Sequence, residues 1–126
     1  MGNVVVTELE DDVIEELNEE EAEALKLLGA AKDEKPRKIV QKIKDYAEKI
    51  LSGDFTDEQI NDYAIGLGSL WGKMVEKEYR WSWKSIDFQD GYGESYYIVS
   101  PKEYYCCNPI YFIQKILMKN NPGFDG

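Results

Sequence analysis

At Arg80 the apolar residues of this chain pass from a helical period to a period of two, and that change constrains the fold more than any other feature of the sequence. Ahead of it, Ile39, Val40, Ile43, Tyr46, Ala47, Ile50 and Leu51 recur at the three- and four-residue spacing that turns one helical face inward. The spacing predicts a helix over 37–52, stopped by Gly53. Thr56 with Gln59 three residues on forms a capping-box pattern, which opens a long helix to Glu78 with Ile60, Tyr63, Leu67, Leu70, Trp71, Met74 and Val75 inward.

From Arg80 the period is two. Trp81 and Trp83 share one face of a strand, and the apolar phase then moves to Ile86 and Phe88, which predicts a β-bulge or bend at Lys84–Ser85. Gln89, Asp90, Gly91, Tyr92 and Gly93 supply a hairpin turn, and 94–100 is the return strand. Pro101-Lys102 is a turn and 103–107 a short third strand. Asn108-Pro109 has the cap and first-turn residues of a helix whose buried face is Ile110, Ile113, Ile116 and Leu117, ended by the Asn120 to Gly123 run.

At the N-terminus, Val4, Val5 and Val6 favour extended backbone. Leu9, Val13, Ile14 and Leu17 allow an acidic helical turn or two, and Asn18 with Glu21 predicts the true start of a helix over 19–28, capped by Gly29. Residues 30–36, ending in Pro36, read as a linker. Helices, then a small antiparallel sheet, then a helix is the segregated α+β class: N-terminal helices on one face of about three strands, with a C-terminal helix. One domain over 1–126 is expected, with 1–18 an acidic N-terminal arm, disordered in part.

The long helix has an oddity. Gly66, Gly68 and Gly72 each cost roughly 1 kcal/mol relative to Ala inside a helix. Ala64, Gly68 and Gly72 lie along one ridge, where lost volume admits a close neighbour or, as the alternative, a glycine-lined ligand slot.

The net charge of −10 belongs to one segment. Residues 1–25 hold ten acids and no Lys or Arg, while the remaining fifteen acids balance all fifteen bases. Such asymmetry suits a solvated arm or a surface for a basic partner and disfavours direct contact with nucleic acid or an anionic membrane, both of which need a basic footprint. No apolar run nears the roughly 18 residues of a membrane span, and no Lys or Arg precedes an apolar core as in a secretory signal. Cys106 and Cys107 are adjacent and point to opposite faces of a strand, so free thiols in a reducing, cytoplasmic compartment are expected. A redox or metal role for that vicinal pair is the lesser alternative.

With no histidine, Cys/His zinc sites and His-activated nucleophiles are excluded. Asp87, Asp90 and Glu94 do not fit a calcium loop, because the first ligand position counted back from Gly91 falls on Ile86. No catalytic residue, cofactor or metal is expected. The densest feature is aromatic, running from Tyr79 through Trp81, Trp83, Phe88, Tyr92, Tyr96, Tyr97, Tyr104 and Tyr105 to Tyr111 and Phe112. Strand alternation lets only about half of these face the helices, which leaves Tyr and Trp for an outer face or edge, beside Arg80 and Lys84. The candidate partner-binding residues are therefore Trp81, Trp83, Tyr92, Tyr96 and Tyr97 together with the acids Glu15, Glu16, Glu19 and Glu20.

The run from Ala64 to Pro101 joins a glycine-spaced helix (GLGSLWG), an aromatic strand (YRWSWKSIDF), a glycine turn and a strand ending in Ser-Pro. It resembles a group of small uncharacterised bacterial domains, some similar to the immunity proteins encoded beside polymorphic toxins. The resemblance covers about the C-terminal half and implies a non-enzymatic protein-binding domain that neutralises a toxin with a basic surface. An acidic chaperone or adaptor for a secreted protein is the second expectation, and an enzyme using carboxylates in a cleft below the sheet the third.

Overall fold

The computed structural model describes residues 4–89, 91 and 93–118. In chain order the described elements are β1 (Val5–Thr7), α1 (Asp11–Leu28), α2 (Pro36–Leu51), α3 (Asp57–Tyr79), β2 (Ser82–Asp87), β3 (Glu94–Val99), a short 3-10 turn (Pro101–Glu103), β4 (Cys106–Cys107) and α4 (Pro109–Leu117). The class is α+β, with an antiparallel sheet of order β1-β2-β3-β4. It has four strands rather than three because Val5, Val6 and Thr7 pair with Asp87, Ile86 and Ser85. The valines at the head of the segment expected to be an arm thus form an edge strand.

The helix over 19–28 also starts earlier than expected. α1 runs unbroken from Asp11, and Asn18 is an exposed residue in its middle rather than a cap. Packing overrides the local capping signal, since Val13, Leu17, Ala24 and Leu28 carry one partly or fully buried stripe along the helix. Asp11 and Asp12 favour the positive end of its dipole, and Gly29 ends it in the left-handed region at φ 63°. The linker that follows is tied to α2: Glu34 accepts a hydrogen bond from the Ala31 amide at 2.7 Å and pairs with Lys42 at 3.0 Å.

α3 is the helix around which the others assemble, packing against α1, α2, α4 and the two central strands. Its capping box is complete: the Gln59 amide donates to Thr56 Oγ1 at 3.1 Å, and the Thr56 amide donates to Gln59 Oε1 at 2.9 Å. Ala64, Leu67, Leu70 and Met74 join Ala24, Ile39, Ile43, Ile50, Ile113 and Leu117 in one core between the helices. At α4, Asn108 Oδ1 accepts from the Tyr111 amide at 3.0 Å, with Pro109 in the first turn. The run from Asn120 to Gly123, read as the end of this helix, lies outside the described residues, and the helix ends at Leu117.

No slot opens along the glycine ridge. A Cβ on Gly68 would stand 2.6 Å from the Ile110 Cα and 3.0 Å from the Pro109 carbonyl oxygen, so the start of α4 sits directly on it. A Cβ on Gly72 would overlap the Trp83 indole. Gly66 is different, because its Cβ would meet that of Ala24 at an ordinary 3.7 Å.

The bulge expected at Lys84–Ser85 is also absent. Ser82 through Asp87 pair with Val99 through Glu94 without a break. The apolar phase changes because both faces of the sheet bury apolar groups. Trp83 and Ser85 face the helices, whereas Ile86, 3% exposed, shares the outer face with Phe88 and Tyr97, whose rings meet edge-to-face at 5.4 Å. No helix among the described residues is long and apolar enough to cross a membrane.

Candidate functional site

α1 packs on α3 with most of its acids exposed. Asp11, Asp12, Glu15, Glu16, Glu19 and Glu23 are exposed, and none forms an ion pair with another described residue. Asp11–Glu15, Asp12–Glu16, Glu15–Glu19, Glu16–Glu20 and Glu19–Glu23 are all i,i+4 neighbours, and each like-charge pair costs a helix about 0.2–0.5 kcal/mol. The potential shows at Glu20, which is half-buried: burial and then the charges of Glu16, Asp62, Glu23 and Glu19 raise its carboxyl above the usual value.

Between α1, α3 and β2 is a cleft of about 170 Å³. Leu9, Ile14 and Leu17 give it an apolar side, and Trp83 of β2, seated over Gly72, supplies an indole wall. Its charged lining is Glu8, Glu21, Glu76 and Lys73. Two of those carboxylates are already matched, Glu76 by Lys73 at 3.3 Å and Glu8 by Lys84 across the sheet edge. Glu21 is not. The residue as a whole is only 7% exposed, but its carboxylate oxygens open to solvent, and they form no hydrogen bond or ion pair with a described residue. Burial raises its carboxyl; the ammonium groups of Lys73, Lys77 and Lys32 lower it without closing to contact, and Glu76 adds to the rise. Ser69 also lines the cleft, but its hydroxyl donates to the Ile65 carbonyl at 2.7 Å, so it is held against its own helix.

A second concavity lies among the helices away from the sheet, where adjoining clefts of about 320 and 300 Å³ share Val40, Lys44 and Trp71. Trp71 stacks on Phe112 at 5.0 Å, and Val40, Tyr79 and Phe112 are among the exposed large apolar residues.

The residues named from sequence divide between these surroundings. Glu15, Glu16 and Glu19 are exposed on α1, with Glu20 half-buried at its edge. Trp83 is inside the α1–α3 cleft, and Tyr96 lines a smaller one with Val13 and Glu10. Tyr97 stacks with Phe88 on the outer face, Trp81 is half-buried just before β2, and Tyr92 lies outside the described residues. The structure therefore gathers the acids but does not gather the aromatics into one patch. Among the described residues, the most exposed rings are Tyr79, Tyr104 and Tyr105, at 65%, 75% and 72%. They sit at a helix end and just after the 3-10 turn, where strand alternation gives no guide. Glu21 was passed over as a capping residue, and its signal in the sequence is position: it falls on the buried stripe of α1, where a carboxylate needs a reason. Cys106 and Cys107 are free, and burial raises both thiols, which disfavours the reactive thiolate.

No family model matches this chain, and neither a curated protein nor a solved structure does.

Proposed function

We propose that this protein is a binding domain for another protein, and that the acidic face of α1 receives a basic surface on its partner. The observation that carries the proposal is the unneutralised acidic ladder on a packed helix. Charge of one sign held on a rigid element steers an oppositely charged partner and speeds encounter, and here it is displayed at a cost to the helix that bears it. The likeness to toxin-immunity domains gives the reading a biological form, in which the basic surface is that of a toxin neutralised by this chain. A chaperone or adaptor for a secreted protein would use the same face, and the neighbouring gene separates the two.

Immobilised protein should retain a partner from a lysate at 0.1 M salt and release it at 1 M, where the screening length shrinks from about 10 Å to about 3 Å. The Glu15→Lys/Glu19→Lys variant should retain none of it. A partner held equally by both baits, or unaffected by salt, would remove α1 from the interface. In the immunity form, co-expression with the adjacent gene's product should relieve its toxicity.

A further inference from the structure

In the α1–α3–β2 cleft, one carboxylate, its oxygens open to the cleft, has no partner while the two beside it do. Glu76 is taken by Lys73 and Glu8 by Lys84, so the charge free to meet a ligand is that of Glu21, 7% exposed and lining the cleft. The same lining carries an indole, Trp83, and the aliphatic side chains of Leu9, Ile14 and Leu17. An apolar slot with an aromatic wall and one carboxylate on which no ammonium closes, the Lys73 ammonium being held by Glu76, suits a ligand with a hydrocarbon stem and a cationic end. The stem displaces water from the leucines and the indole, the cation gains the indole face, and the carboxylate exchanges water for a charged partner in a half-enclosed cleft.

We propose that this cleft is a receptor for one alkylammonium or alkylguanidinium group, with Glu21 as its counter-ion and Trp83 as its wall. Glu15 stands three residues from Asn18, and Asp11 three from Ile14, so the acidic face of α1 begins at the lip of the cleft and feeds cations toward it. The same chemistry is carried by the side chain of a partner's lysine or arginine and by a free amine. The inference rests on the protein-binding reading only for the first of these sources, and small ligands test the cleft without any partner.

The probe is n-butylammonium chloride, titrated into isotopically labelled protein at constant ionic strength, with the Trp83 indole N–H assigned through Trp83→Phe. Saturable shifts of that resonance are expected, with a dissociation constant on the order of millimolar. The Glu21 carboxyl of the native protein should titrate at lower pH when the amine is bound, a readout that needs no variant to fold. Glu21→Gln should weaken binding at least tenfold with its amide spectrum otherwise preserved, and n-butanol, the neutral counterpart, should not bind. Linear unsaturated shifts, an unmoved Glu21 titration, equal binding by Glu21→Gln, or equal binding of butanol would each overturn the proposal. A blocked lysine peptide that binds more tightly than butylammonium assigns the cleft to a protein side chain; one that binds more weakly assigns it to a free amine. Loss of a lysate partner with intact butylammonium binding would count against the docking reading and leave the cleft standing.

Discussion

α3 and α1 are the two longest described helices and face each other, yet they are stabilised in opposite ways. α3 gives up side-chain volume at Gly68 and Gly72 so that α4 and Trp83 can sit against it, and it has a complete capping box. α1 has no side-chain cap, repels itself along five i,i+4 pairs, and places an unpaired carboxylate, Glu21, on its packed stripe. The chain spends local stability on α1 and recovers it through packing on α3. Under the proposed function, scaffold and binding surface fall on different helices.

The largest expected effect breaks the scaffold. In Gly68→Ala the new methyl meets backbone of α4, which cannot step aside as a side chain would. Overpacking of roughly 1–3 kcal/mol should exceed the roughly 1 kcal/mol gained in helix propensity, so the melting temperature falls. An unchanged or higher melting temperature would show that α4 is not seated on this ridge.

Gly66→Ala is the matched control on the same helix. Its methyl makes an ordinary contact with Ala24, and helix propensity alone should stabilise the protein by up to about 1 kcal/mol. Opposite signs for Gly66 and Gly68 in thermal melts would establish that tight contact, rather than glycine content, governs α3; the same sign for both would refute it.

On α1 the expectation is a gain in stability with a loss of function. Glu19→Lys turns the repulsive pairs with Glu15 and Glu23 into attractive ones, which should stabilise the fold by up to about 1 kcal/mol at low salt, shrinking as salt rises. Urea midpoints at low and high salt measure it. A variant that loses stability would mean that Glu19 has a structural partner.

The smallest effect is the dependence on pH. Glu20 and Glu21 both have carboxyls raised by burial, so the unfolded chain gives up these protons first as pH rises from the ordinary glutamate value of about 4.3. Folded stability attributable to them is therefore present below that value and declines as pH climbs toward the folded values. The Glu20→Gln/Glu21→Gln variant should match the native protein in acid and exceed it at neutral pH. Parallel stability profiles would show that neither carboxyl is perturbed.

Much of this fold was legible in the chain. The three- and four-residue repeat over 37–52, the Thr56–Gln59 box and the Asn108-Pro109 start are local signals, and local geometry satisfies them where they occur. Asn18–Glu21 carried the same kind of signal and failed, because a cap contributes about 1 kcal/mol and burial of the stripe from Val13 to Leu28 outweighs it. The placement of the described aromatics was not legible, for a related reason. Period two says which residues share a face, but not that Ile86 and Tyr97 would build a second apolar cluster on the far side of the sheet.

By itself the sequence determined the α+β order, the segregation of charge into residues 1–25 and the absence of side-chain volume along Gly68 and Gly72, because each follows from residues near one another in the chain. Only the tertiary structure decided that the close contacts are α4 and Trp83, that Val5–Thr7 closes the sheet edge, and that Glu21 is left unpaired while Glu8 and Glu76 are satisfied. Whether a carboxylate finds a partner depends on side chains brought together from α1, α3 and the strands, tens of residues apart, and no local pattern records that meeting.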